Sequence, residues 1–137
     1  MRIFMSLLTA LITASGLAVA TAGNASALGG ESLLCHVSPS HDPYGYQICD
    51  NDMYASSYQV TFAVRNVTAP STYAWSISAD LPWTVSSGCT STSSTCVVSV
   101  PNADNAINAS VTLTQNGATE TLTSSAMIGQ YCYDFYC

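Results

Sequence analysis

The sequence predicts an all-β protein: a single antiparallel β-sandwich of about seven short strands, following an export signal. Three observations carry that expectation. Apolar and polar residues alternate with a period of two over Tyr58 to Arg65 and again over Tyr73 to Ala79. An Asn116-Gly117 dipeptide separates two further alternating runs, and no stretch after residue 27 carries a helical period.

Residues 1–27 read as a secretory signal peptide. Arg2 precedes the apolar run Ile3 to Ala20, which is diluted by Ser, Thr and Gly. Ala25-Ser26-Ala27 then fits a small-residue cleavage pattern, with Ala20-Thr21-Ala22 as a second match. No later stretch approaches the roughly 18 apolar residues that span a bilayer. The expectation is a soluble, secreted protein without membrane insertion once the signal is removed.

Residues 28–57 are rich in Ser, Pro, Gly, Asp and Asn and read as loop, with one edge strand over Ser32 to Val37. Residues 58–128 form the sandwich. In its first strand Val60, Phe62 and Val64 share one face, and Gln59, Thr61 and Arg65 the other. In the second, Tyr73, Trp75, Ile77 and Ala79 face inwards. Asp80-Leu81-Pro82 breaks it, Trp83 to Ser86 makes a third, and Cys96 to Val100 a fourth that ends at Pro101. Ile107 to Gln115 and Ala118 to Ile128 flank Asn116-Gly117, the residue pair a type I′ hairpin turn requires. Such a turn sets Gln115 opposite Ala118, Leu113 opposite Glu120, Thr112 opposite Thr121 and Val111 opposite Leu122. Residues 129–137 are a Cys/Tyr-rich tail.

Charge excludes a class of partners. The chain carries a net charge of −6, and Arg65 is the only Lys or Arg after the signal. Nucleic-acid binding draws most of its affinity from basic side chains, so no nucleic-acid partner is expected.

The cysteines set the compartment. Cys35, Cys49, Cys89, Cys96, Cys132 and Cys137 all follow the signal, an even set that reads as a disulfide framework in an exported chain. Zinc favours close C-x2-C or H-x3-H spacings, and neither occurs. A Ser/Thr-rich link lets Cys89 reach Cys96. For the other four, bonds from Cys35 and Cys49 to Cys132 and Cys137 are expected because they would tie down two irregular termini; two local loops are the alternative.

The Tyr73-Ala74-Trp75 strand, thirteen residues after Phe62, resembles strand C of immunoglobulin-like and PKD-like extracellular domains. The resemblance covers roughly Tyr58 to Ile128. It implies that Trp75 packs between the sheets at the centre of the core, and that the domain serves as a spacer, adhesion unit or binding module. Two features depart from those families. Phe62 stands where an antibody-type domain carries its first core cysteine, and Ser76 to Asp80 replaces the Gly-Asp-Gly turn of PKD domains.

A non-catalytic structural or binding role outside the cell follows, with an extracellular glycan or protein as partner and no cofactor. Ligand-contact candidates are Trp83, after Leu81-Pro82, and the terminal tyrosines Tyr44, Tyr46, Tyr131 and Tyr133, whose rings join an apolar body to a polar tip. Each has a plainer role as packing beneath loops. A hydrolase would have to use His36 and His41, the only imidazoles, with Asp42, Asp50 or Asp52, and no nucleophile motif accompanies them. Asp50, Asn51 and Asp52 are also the best oxygen ligands for a weak calcium site. Thr112, Thr114, Thr119, Thr121 and Thr123 line the outward hairpin face, where threonine suits a solvated sheet.

Overall fold

The computed structural model describes residues 28–45 and 47–132, together with the backbone of 135–136. The expected signal at 1–27 lies outside these residues, as do Tyr46, Tyr133 and Cys137. The described residues contain ten strands: β1 (Ser32–Ser38), β2 (Ile48–Asp50), β3 (Ser57–Arg65), β4 (Thr72–Ala79), β5 (Thr84–Gly88), β6 (Thr95–Pro101), β7 (Asn105–Gln115), β8 (Ala118–Ile128), β9 (Tyr131–Cys132) and β10 (Phe135–Tyr136). No helix occurs among the described residues.

Two four-stranded sheets make a sandwich-like body, ordered β1-β3-β6-β5 and β2-β8-β7-β4, and β9 and β10 form a separate two-stranded ladder. All neighbours are antiparallel except β2, which runs parallel to β8. The β7–β8 hairpin has the register that its turn dictates, with Gln115 opposite Ala118 and Thr112 opposite Thr121. Asn116 and Gly117 both adopt positive φ, 51° and 80°, as a type I′ turn demands.

The alternating runs bury the faces they were expected to bury. Tyr58, Val60 and Phe62 of β3 are fully enclosed between the sheets, against Val98 of β6 and Ile107, Val111 and Leu113 of β7. Burying one such large side chain contributes about 1.5–3 kcal/mol. The Tyr58 hydroxyl donates to the Met53 carbonyl at 2.8 Å, so burial leaves no orphan phenol.

Trp75 is not the centre of the core, contrary to what the family resemblance implies. It is half-buried and packs at the margin, its indole Nε1 donating to the Ser93 carbonyl at 3.0 Å. The cause is topological: β4 is the last strand of its sheet, and the facing edge strand β5 is short and slips register between Val85 and Ser87. Phe62 and Tyr58, on an inner strand, take the central place.

The disulfides are only partly as expected. Cys89 is bonded to Cys96, but Cys35 is bonded to Cys49 and not to the C-terminal tail. The reason is local. Gly45 exchanges two backbone hydrogen bonds with Cys35, of 2.9 and 2.8 Å, which folds the chain back beside β1. A Cβ at Gly45 would collide with the Ile48 carbonyl, so glycine permits that return. Cys49 then lies with its Cα 5.8 Å from that of Cys35. Because β1 and β2 belong to different sheets, this bond staples one flank of the sandwich. Cys132 is also disulfide-bonded, to a partner outside the described residues.

Residues 28–57 hold two strands where one was expected. The second, β2, has only three residues, Ile48 to Asp50, too few for periodicity to register.

Candidate functional site

Side chains fix the chain immediately after β8. The Asn51 carboxamide, wholly buried, donates to the Gly129 carbonyl at 2.9 Å and accepts from the Gly129 N–H at 2.8 Å. Asn102 does the same for Tyr131, with both bonds at 2.9 Å, and Asp104 Oδ1 accepts from Gln130 N–H at 2.9 Å. A carboxamide carries a donor and an acceptor in one plane, so each asparagine replaces a neighbouring strand's peptide group. On the far side, Asn105 Oδ1 accepts from the N–H groups of Asp80 and Leu81, at 3.1 and 3.2 Å, and holds the turn that follows β4.

These clamps frame a cavity of about 480 Å3 at the end of the β2-β8-β7-β4 sheet. Asp50, Asp80, Asp104 and Asn105 supply its polar wall, and Ala106, Met127 and Ile128 its apolar floor. Register explains the arrangement. Met127 pairs with Ala106 on one side and Asp50 on the other. Asp80 is level with Ala106, one step beyond the last β4–β7 pair, Ala79 with Ile107. Asp80 and Asp50 therefore bracket an apolar row at three strand spacings, roughly 14 Å. Met127 is 49 % exposed, so the floor is open to a ligand.

Asn105 is only 5 % exposed, and its Nδ2 has no hydrogen-bond partner. A buried donor left unpaired costs on the order of 1–3 kcal/mol, so it favours whatever brings an acceptor. The cavity thus combines carboxylate acceptors and a small apolar floor, with the Asn105 amide enclosed behind its wall.

The described residues among those singled out from the sequence lie elsewhere, with one exception. Asp50 lines the cavity. Asn51 is consumed by Gly129, and Asp52 binds His41, accepting from its backbone N–H at 2.8 Å with the ring Nδ1 at 3.2 Å. Hydrogen bonds from the Ser40 side chain and then the His41 backbone hold the Asp52 carboxyl below its ordinary value. Asp50, Asn51 and Asp52 therefore do not converge as calcium ligands, and no group of three or more His, Cys, Asp or Glu among the described residues is placed to hold a metal. Asp50 ends β2, while Asn51 and Asp52 lie beyond it, where the chain leaves the sheet and each side chain takes its own partner.

The two histidines have different partners. His41 is paired with Asp52, whereas the His36 ring lies 5.0 Å from that of Tyr44. Tyr44 is 41 % exposed, with the Arg65 guanidinium 5.6 Å from its ring centroid. Tyr131 is half-buried and clamped by Asn102. Because Cys35 bonds to Cys49, no disulfide links the segment carrying Tyr44 to the C-terminal tail through Cys35 or Cys49. Trp83 is half-buried against the core and is not a flat exposed platform.

No protein-family model, curated protein or solved structure matches this chain.

Proposed function

We propose that this chain is a secreted, immunoglobulin-like binding module that takes a neutral polyhydroxylated ligand, a glycan, in the acidic cavity at the end of its β2-β8-β7-β4 sheet. The strand order supports the family reading. With β1, β3, β4, β5, β6, β7 and β8 taken as strands A to G, one sheet reads A-B-E-D and the other C-F-G, the immunoglobulin arrangement, with β2 added beside G. The disulfides accord with an oxidising extracellular compartment.

The observation that carries the ligand class is a cavity in which three carboxylates wall an apolar floor of Ala106 and Met127. A sugar hydroxyl donates to a carboxylate while the ring's C–H face covers an apolar floor, so one ligand satisfies both. An ammonium ion satisfies the carboxylates but leaves the floor uncovered. The cavity volume lies within the range of small-ligand sites, roughly 300–1,000 Å3. Asparagine clamps on three sides hold it in shape before binding, which lowers the ordering cost.

The test is retention of the oxidised chain on immobilised neutral glycans and on amine-bearing polymers, with Asp80→Asn beside the wild type. The reading expects retention on a neutral glycan that Asp80→Asn weakens at least tenfold. Retention on amine polymers alone, lost at high salt, refutes it, as does wild-type retention on neither.

A further inference from the structure

The two flanks of the sandwich differ. Cys35–Cys49 joins β1 to β2 on one side. On the other, β4 and β5 are the outer strands of their sheets, and no described strand pairs with the free edge of β4. Tyr73 N–H turns outward to the Ser91 carbonyl at 3.0 Å, so by the two-residue period of a strand the backbone groups of Trp75, Ile77 and Ala79 also point outward. Among the described residues those later groups have no backbone partner.

Soluble proteins protect such edges with lysine, proline, inward charges or bulges. The β4 sequence Thr-Tyr-Ala-Trp-Ser-Ile-Ser-Ala has none of these residues. Beside it Trp75, Ile77, Ala79 and Trp83 are half-buried, and Val85 of β5 is 54 % exposed. Charge selects the occupant. The chain carries eight carboxylates, but Asp80 is the only charged residue between Asn66 and Ala103. This flank is therefore where two copies of an acidic chain meet with least repulsion.

We propose that the protein forms a two-fold homodimer by antiparallel pairing of β4 with β4 of a second copy, centred on Ile77. Trp75 then pairs with Ala79 of the second copy, and the two four-stranded sheets become one of eight strands. The half-buried Trp75, Ile77 and Ala79 of both copies meet across the seam. The two Asp80 carboxylates fall on opposite sides of the axis, six residues of strand or roughly 20 Å apart, beyond the screening length of about 8 Å in physiological salt. An isologous contact of this kind closes and does not propagate.

The outward-facing Ser76 and Ser78 lie opposite one another in the pair, which gives a test that spares the core. Light scattering coupled to size exclusion is run over a concentration series for the wild type and for Ser76→Lys with Ser78→Lys. The wild type is expected to show twice the chain mass and to dissociate on dilution. The lysine variant is expected to remain monomeric and to melt where the wild type does at concentrations too low for pairing, because the replaced side chains are exposed. Hydrogen exchange should show concentration-dependent protection at the Ile77 and Ala79 amides. A wild type that stays monomeric at every concentration up to millimolar overturns the proposal, and so does a dimer that the lysines leave intact.

Discussion

Replacing Asn51 with alanine removes its two hydrogen bonds to Gly129, inside a site from which solvent is excluded. Each is worth about 1 kcal/mol net. Gly129 is half-buried, so leaving its N–H and C=O unpaired adds a penalty at the low end of the usual range, bringing the loss to about 2–4 kcal/mol. For a domain of this size that is a fall of roughly 8–16 °C in Tm. The assay is equilibrium urea unfolding, with unchanged slope and a lowered midpoint. Asn51→Asp should cost at least as much, because the carboxylate keeps the acceptor, loses the donor and buries a charge. A calcium ligand would behave oppositely, gaining from the added charge. A loss below about 0.5 kcal/mol in Asn51→Ala, or a calcium-dependent rise in midpoint with Asn51→Asp, would refute the clamp.

The two described disulfides should differ in worth. Chain-entropy arguments give about 3 kcal/mol for Cys35–Cys49, at a sequence separation of 14, and about 2.5 kcal/mol for Cys89–Cys96, at a separation of 7. Cys35 is also wholly buried, so alanine pairs at 35/49 should lower the urea midpoint more than those at 89/96, and the reverse order would contradict the stapled-flank account. Glu31 is held below the ordinary glutamate value first by the Gly29 N–H, at 2.8 Å, with Gly30 N–H at 3.0 Å assisting. Its contribution to ordering residues 29–31 is complete above that ordinary value and disappears as pH falls through the lowered one. Gly29 and Gly30 amide shifts should titrate with a midpoint below that of an unperturbed glutamate; a midpoint at or above it contradicts the contact.

How much was legible depended on chain distance. Local signals read well: the period-two burial of Val60, Phe62 and Val64, the hairpin register from Asn116-Gly117, and the short Cys89–Cys96 loop all follow from neighbours in sequence. The failures were non-local. Trp75 looks like a core residue by pattern, and only its place on an edge strand leaves it half-exposed. The Cys35 partner depended on how residues 39–48 return, a path set by the Gly45 contact and not by any periodicity. The cavity was invisible for the same reason, since Asp50, Asp80 and Asp104 sit at the ends of three connections that only the sheet order brings together. A signal was nevertheless present: Asn102, Asp104 and Asn105 crowd one short loop after Pro101, where plain solvation would not require so many hydrogen-bonding side chains.

The most direct test of the central claim is a heteronuclear NMR titration of the oxidised protein with a neutral oligosaccharide that the retention screen identifies. If the cavity is the binding seat, the Asp80 and Met127 backbone signals shift first, with those of Asp50 and Ala106, and residues around Tyr44 stay still. Saturating shifts confined to Tyr44, His36 and Arg65, with Asp80 and Met127 unmoved, would contradict it and place binding on the other sheet.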